Sequence, residues 1–315
     1  MSKLVVVIGL TGQQGGSVAE ELLKHGWRVR GVTRNPNKAQ SWSDRGVEVV
    51  QGDLDDKASL LKAFKGAYGV FGTTDFWGPV FDPSSKSKLK DGQKINEYAF
   101  DIEVAQAKNI AEAAAETEGL QRFVSSALPN VNECTSGRLK HVYHFDSKAV
   151  VVEYIKKSLP ELARKMSVIY IGSYMTNWGQ GLQPKQKSDG TWHLSLVGKG
   201  DTPIPLLFTA KDTGILVRSL LEDPPGRTMS GSCDMLSWKE CLEIWCETQG
   251  LTYGGFDETS IDEFVHKSGM GPDLGLEFAE MFEFMDSPGY NGTDRHVMIP
   301  KECGSVANDF FRDLV

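Results

Sequence analysis

The sequence predicts an α/β protein: a doubly wound parallel sheet with a smaller C-terminal α/β lobe. Three observations carry this expectation. Short apolar runs alternate with amphipathic stretches through the first half of the chain, the pattern of successive βαβ units. The run VVVIGLTGQQGGSVAE, from Val5 to Glu20, passes from β-branched residues into four glycines within eight positions and then into a helix-like tail. After about residue 171 the alternation loosens and hairpin and helix signals replace it.

The elements follow in order. Leu4–Ile8 is the first strand, and Ser17–His25 a helix ended by Gly26. Val29–Thr33 is the second strand, and Val47–Val50 the third, followed by a helix over Ala58–Phe64. Tyr68–Phe71 is the fourth strand. A long helix from about Glu97 to Thr117 sets Ala99, Ile102, Ala105, Ile110, Ala113 and Ala114 on one broad face. Phe123–Ser125 is the fifth strand, Lys148–Lys156 a helix and Ser167–Ile171 the sixth strand. Ser188–Trp192 reads as the turn of a hairpin between Gln186 and Leu196, while Asp212–Leu221 and Trp238–Thr248 read as helices. The expected division is a core over residues 1–175 and a lobe over 176–315 that meets it across a cleft, with the chain free to cross between them more than once.

Composition sets the outer bounds. A chain of 315 residues buries roughly three-quarters of its unfolded surface, so core size does not limit stability. With 40% hydrophobic and 24% charged residues it has the make-up of an ordinary soluble protein. A formal charge of −8 argues against a nucleic-acid surface, which needs a basic face. The five cysteines, Cys134, Cys233, Cys241, Cys246 and Cys303, contain no CxxC pair, so reduced thiols are expected. The N-terminus runs straight into a strand, so no signal peptide is expected, and no apolar run nears the roughly 18 residues of a membrane span. The expected setting is the cytoplasm, with the nucleus as a second compartment.

Gly9, Gly12 and Gly15 form GxxGxxG between a strand and a helix. Glycine is wanted where a backbone turns sharply and a Cβ would strike a ligand, and the following helix aims its free N–H groups at a bound phosphate. Gly9, Thr11, Gly12, Gln14 and Gly15 are therefore the candidate contacts to a dinucleotide pyrophosphate. An NAD site carries an acid near the end of the second strand to bind the ribose hydroxyls. Here that region reads GVTRNPNK, with Arg34 in the acid's place and Lys38 a turn further on. A guanidinium pairs with a 2′-phosphate through two parallel hydrogen bonds, which favours NADP(H); the alternative for Arg34 is a solvated loop arginine. Asp53, in QGDL at the end of the third strand, suits either the adenine amino group or a helix cap.

Assembled, GLTGQQGGSV, GVTRNP, GDLDD, GVFGTTDFW, RFVSSALPN and above all HVYHFDSKAVVVEYI resemble the short-chain dehydrogenase/reductase superfamily, and more narrowly its atypical NmrA-like branch. The C-terminal DTG, LSWKECLEIW and EFMDSPGYNG segments are similar to fungal NmrA-like proteins, so the resemblance covers most of the chain. It implies a Rossmann-type fold with NADP(H) in the cleft. Superfamily reductases carry Tyr-x-x-x-Lys, the tyrosine donating the proton and the lysine holding the nicotinamide ribose. Here the residues are His144-Phe145-Asp146-Ser147-Lys148, with histidine in the tyrosine slot and Tyr143 one position away. The resemblance makes Lys148 a contact to the ribose and a candidate acid, as the matching lysine is in isoflavone-reductase-like relatives. His144 is either an acid or a packing and capping residue. Ser125 and Ser126 stand where the superfamily places a hydroxyl donor to the substrate, or serve as strand-end turn residues. Thr73 is expected at the cofactor backbone, and Tyr174 and Asn177 over the nicotinamide.

The six histidines show no metal-ligand spacing; His141 and His144 stand at i, i+3 without a clearly placed carboxylate or thiol. Phe278, Phe282 and Phe284 among Glu277, Glu280 and Glu283 suggest a helix with one apolar face. Two functions fit. The first is an NADP(H)-binding redox sensor that signals to a protein partner such as a transcription regulator, with little or no turnover. The second is an NADPH-dependent reductase of a small apolar carbonyl or aromatic substrate, in fungal secondary metabolism.

Overall fold

The computed structural model describes residues 2–179, 182–300, 310 and 311. Its central sheet has seven strands. In chain order its elements are β1 (Leu4–Ile8), α1 (Gln13–Lys24), β2 (Arg28–Thr33), β3 (Glu48–Gln51), α2 (Lys57–Phe64), β4 (Gly69–Gly72), α3 (Ile95–Ala115), β5 (Arg122–Ala127), α4 (Tyr143–Ser158), β6 (Met166–Ile171), α5 (Thr209–Glu222) and β7 (Thr228–Gly231). The strand order is β7-β6-β5-β4-β1-β2-β3, with parallel pairings from β3 through β6. The order reverses beside β1, and in such sheets ligands bind outside the strand ends at that point. All five residues of β1 are buried, as a strand covered on both faces requires. Val6, Val70, Phe64, Ile110, Phe123 and Ile155 lie in the apolar core beside it.

Two helices begin four or more residues earlier than the sequence predicts. The first starts at Gln13, not Ser17, because Gly12 is extended (φ −92°, ψ 172°) and acts as its N-cap. The second, α4, starts at Tyr143 rather than Lys148. Its first turn is held by a distant carboxylate, Glu277, which accepts the His144 N–H at 3.0 Å. On α3, Ala99, Ile110, Ala113 and Ala114 are buried as predicted, but Ala105 is exposed and Glu103 is buried. The stripe 99, 103, 110, 114 keeps helical spacing with an acid in its middle.

The chain packs as two units. The first comprises Met1–Leu128, Ser147–Tyr170 and Thr209–Met229. Within it α5 lies against α1, where Ser17 Oγ accepts the Gly214 N–H at 2.9 Å and Arg218 pairs with Glu21 at 2.9 Å. The second unit comprises Pro129–Asp146, Ile171–Phe208 and the chain from Ser230. It carries two three-stranded sheets, one from Ser173–Tyr174, Ile204–Leu207 and Asp234–Leu236, the other from Lys185–Gln186, Trp192–Val197 and Tyr253–Thr259. The hairpin is present: Gln186 pairs antiparallel with Trp192. Helices Trp238–Gln249 and α6 (Pro272–Phe284) complete the unit's longer elements. In SWKE, Ser237 and Glu240 form a reciprocal cap on the first of these.

Cys134, Cys241 and Cys246 are free thiols. Cys233 is disulfide-bonded, contrary to the expectation of reduced thiols throughout, because pairing depends on tertiary proximity that spacing does not record. Cys303 lies outside the described residues. No described helix is long and apolar enough to cross a membrane.

Candidate functional site

The three motif glycines act differently. Gly9 has φ +70°, a left-handed conformation that side chains disfavour. Gly15 is buried inside α1, and a Cβ there would lie 2.2 Å from the Gly9 carbonyl oxygen and 2.7 Å from that of Ile8. It lets the helix sit directly on the end of β1. Gly12 has no such constraint: its conformation is ordinary, and an added Cβ would meet only the Gly9 carbonyl at 3.3 Å. It is exposed, as is Thr11. No side chain caps α1 and no acid stands in its first turn, so the helix presents bare N–H groups and an uncompensated positive dipole end. A pyrophosphate fits that cradle.

The end of β2 suits a further phosphate. Arg34 and Lys38 are both exposed, and neither makes a side-chain hydrogen bond or ion pair among the described residues. Gln51 Nε2 donates to the Arg34 carbonyl at 3.4 Å, tying the loop to the end of β3. Asp53 does not cap α2. That role belongs to Asp56, whose carboxylate accepts the Ala58 N–H, while Asp53 accepts the Asp55 N–H at 3.0 Å. Of the two roles the sequence allows Asp53, the helix cap is therefore taken by a residue three positions on.

A cavity in the first unit is lined by Gly72, Thr73, Thr74, Ser125, Ser126 and Lys148, among others. Thr73 stands at its glycine side, with its methyl 3.2 Å from where a Gly9 Cβ would be. Both serines line the cavity, but their hydroxyls differ in partner. Ser126 Oγ donates to Gln14 Oε1 at 2.7 Å, which binds the glycine turn to β5. The Ser125 hydroxyl makes no hydrogen bond among the described residues. Lys148 Nζ donates to Glu103 Oε1 at 2.6 Å, and the carboxylate is fully buried. Glu103 was not among the residues the sequence pointed to, although an acid inside the apolar stripe of α3 was the available signal.

His144 has a different environment. Its Nδ1 lies 2.7 Å from Glu277 Oε1, the oxygen that also accepts its backbone N–H. His141 Nδ1 lies 2.7 Å from Glu280 Oε1, and the other oxygen of Glu280 accepts the Lys140 and His141 N–H groups. Thus α6 turns two buried carboxylates, not only phenylalanines, into the second unit's interior. Histidines at i, i+3 meet glutamates at i, i+3, a match of spacings that the sequence contained. Among the described residues no group of three His, Cys, Asp or Glu side chains is placed to hold a metal ion. Tyr174 and Asn177 also belong to the second unit. Tyr174 ends a short strand paired with Leu207, and Asn177 is exposed at the end of a 3₁₀ turn.

Asp146 sits beside this acidic pair. Burial pushes its carboxyl up to about 6, opposed by N–H bonds from Val131 and Asn132 and reinforced by the charges of Glu277 and Glu280. Because the folded pKa exceeds the unfolded one, the stability this group contributes is full below about pH 4 and lost as pH rises through about 6. Asp146→Asn keeps an oxygen for the Val131 N–H and cannot ionise. It is expected to match the wild type near pH 4 and to be about 3 kcal/mol more stable at pH 8, two pKa units' worth. Urea unfolding across that range checks this; a variant no more stable at pH 8 would refute it.

The model of the NmrA-like family matches residues 1–314 of the chain. An NmrA-like family domain-containing oxidoreductase of Aspergillus hancockii, hkm9, is 29% identical over 257 residues, 76% of this chain and 71% of its own length. Among solved structures, the negative transcriptional regulator NmrA in complex with NAD aligns with a TM-score of 0.71 at 18% identity, covering 99% of this chain and 95% of that one. NmrA in complex with NADP aligns with a TM-score of 0.67 at 18% identity, covering 99% and 91%. Leucoanthocyanidin reductase of Vitis vinifera in binary complex with NADPH aligns with a TM-score of 0.69 at 15% identity, covering 98% of each chain. At these identities the structural likeness is one of fold.

Proposed function

The chain belongs to the NmrA-like family, and from that premise we propose that it is an NADP(H)-dependent reductase of a small carbonyl or aromatic substrate. The observation that carries this reading is one cavity lined by both a largely buried, carboxylate-anchored ammonium and a serine hydroxyl with no hydrogen-bond partner among the described residues. The bare N-terminus of α1 would hold the pyrophosphate, Arg34 and Lys38 the 2′-phosphate, and Thr73 the adjoining backbone of the dinucleotide. When bound, that cofactor supplies a hydride. Lys148 supplies the proton that the substrate oxygen takes up, and Ser125 donates a hydrogen bond to the same oxygen. The relatives named as oxidoreductases support this reading. The test is NADPH fluorescence on titration with the protein, followed by its decay across a panel of aromatic ketones and quinones. Decay with at least one compound supports the reductase.

A redox-sensing regulator is the second reading, and His144 favours it. In the position where superfamily reductases carry tyrosine, its ring is bound by Glu277. A sensor would bind oxidised and reduced dinucleotide with different free energies and present the difference to a protein partner such as a transcription regulator. Tight binding with no decay across the whole panel would favour it.

Both readings require the 2′-phosphate contact. Arg34→Ala is expected to weaken NADP(H) roughly 10–100-fold, the worth of one charge-assisted bidentate pair, while leaving NAD(H) nearly unchanged. Equal loss for both dinucleotides, or none for NADP(H), would contradict the assignment.

A further inference from the structure

We propose that Glu103 is the positioning residue for Lys148: a buried carboxylate on α3 that sets the ammonium in the cavity before any ligand arrives. The inference rests on the reading of Lys148 as the group that handles the proton. Its geometry stands independently of that reading.

Glu103 is engaged at both oxygens. Oε1 accepts from Lys148 Nζ at 2.6 Å and from Thr74 Oγ1 at 2.7 Å, and Oε2 accepts from Ser147 Oγ. Three segments meet at one carboxylate: α3 carries it, α4 supplies Ser147 and Lys148, and the loop after β4 supplies Thr74. The two hydroxyls bind the carboxylate rather than the ammonium, so they orient the acceptor, which in turn orients the lysine. A lysine side chain has several rotatable bonds, and an unanchored ammonium would sample many positions. With its side chain only 10% exposed and Glu103 fully buried, Lys148 is held instead in one arrangement. Buried ion pairs add little net stability over apolar replacements, so a purely stabilising role is a poor reason for this one; fixing a reactive group is a better one. Thr74 directly follows Thr73, so the cavity loop and the ammonium share an anchor.

The experiment compares Glu103→Gln, Lys148→Met and the double variant. In the ligand-free protein, Glu103→Gln removes the charge of the carboxylate to which the largely buried Lys148 ammonium donates. Its urea midpoint should fall, Lys148 should be acetylated several-fold faster by acetic anhydride, read by mass spectrometry, and the double variant should recover most of the lost midpoint. With a turned-over substrate, Glu103→Gln should lower kcat roughly 10–100-fold with little change in KM, and should add nothing further in the Lys148→Met background. Independent, multiplicative losses would overturn the proposal, as would additive midpoints or unchanged labelling. If Glu103→Gln alone does not fold, the double variant should; failure of both would also overturn it. If no substrate is found, the reductase reading fails, while midpoint and labelling still decide the role of Glu103.

Discussion

Gly15→Ala is expected to destabilise the protein by at least about 3 kcal/mol, lowering its urea midpoint sharply or preventing recovery of folded protein. The new Cβ would stand 2.2 Å from one backbone oxygen and 2.7 Å from another, so no side-chain rotation relieves the clash. Either α1 lifts from β1 or the turn deforms, and both separate elements that meet in the core. Gly12→Ala makes the control. Its nearest neighbour is a carbonyl oxygen 3.3 Å away and its backbone is extended, so the fold should survive. The methyl would stand at the N-cap of α1, where a pyrophosphate must approach, and dinucleotide affinity should drop. Calorimetric titration on a folded Gly12→Ala protein decides the point; undiminished binding there would mean that the phosphate does not lie on this helix end.

Lys148→Met is expected to lower turnover by roughly 10²–10³-fold, within the range a positioned general acid contributes. Methionine keeps much of the length of the chain and its apolar contacts while removing the ammonium. Dinucleotide binding should largely persist, losing only the ribose contact expected of Lys148, because the proposed pyrophosphate and 2′-phosphate contacts lie on α1 and at the end of β2. The substitution also strands the buried Glu103 carboxylate, so kinetics belong at temperatures where circular dichroism shows the variant folded. A folded variant that turns over at the wild-type rate would remove Lys148 from the proton path. Ser125→Ala gives a smaller loss by the same logic, since a neutral hydrogen-bond donor is worth less than the acid.

Much of the core was legible because its signals are local. Strand and helix positions in the first half follow from alternation and from glycine and capping residues within a few positions of each element. The glycine turn was readable for the same reason: it is made from one contiguous strand–turn–helix. Helix starts were less so. Where α1 begins depends on the backbone of Gly12, and where α4 begins depends on a carboxylate 133 residues away.

The site divides along the same line. Adjacent residues alone were enough to read a nucleotide-type sheet, a tight glycine turn between strand and helix at Gly9–Gly15, and a basic rather than acidic end to β2. It took the folded chain to show that Lys148 rests on Glu103, 45 residues distant, that His144 is held by Glu277, and that Ser126 is bound to Gln14 while Ser125 lines the cavity. Charge pairs between remote segments have no periodicity, and a buried acid is tolerable only where its counter-ion arrives from elsewhere in the fold.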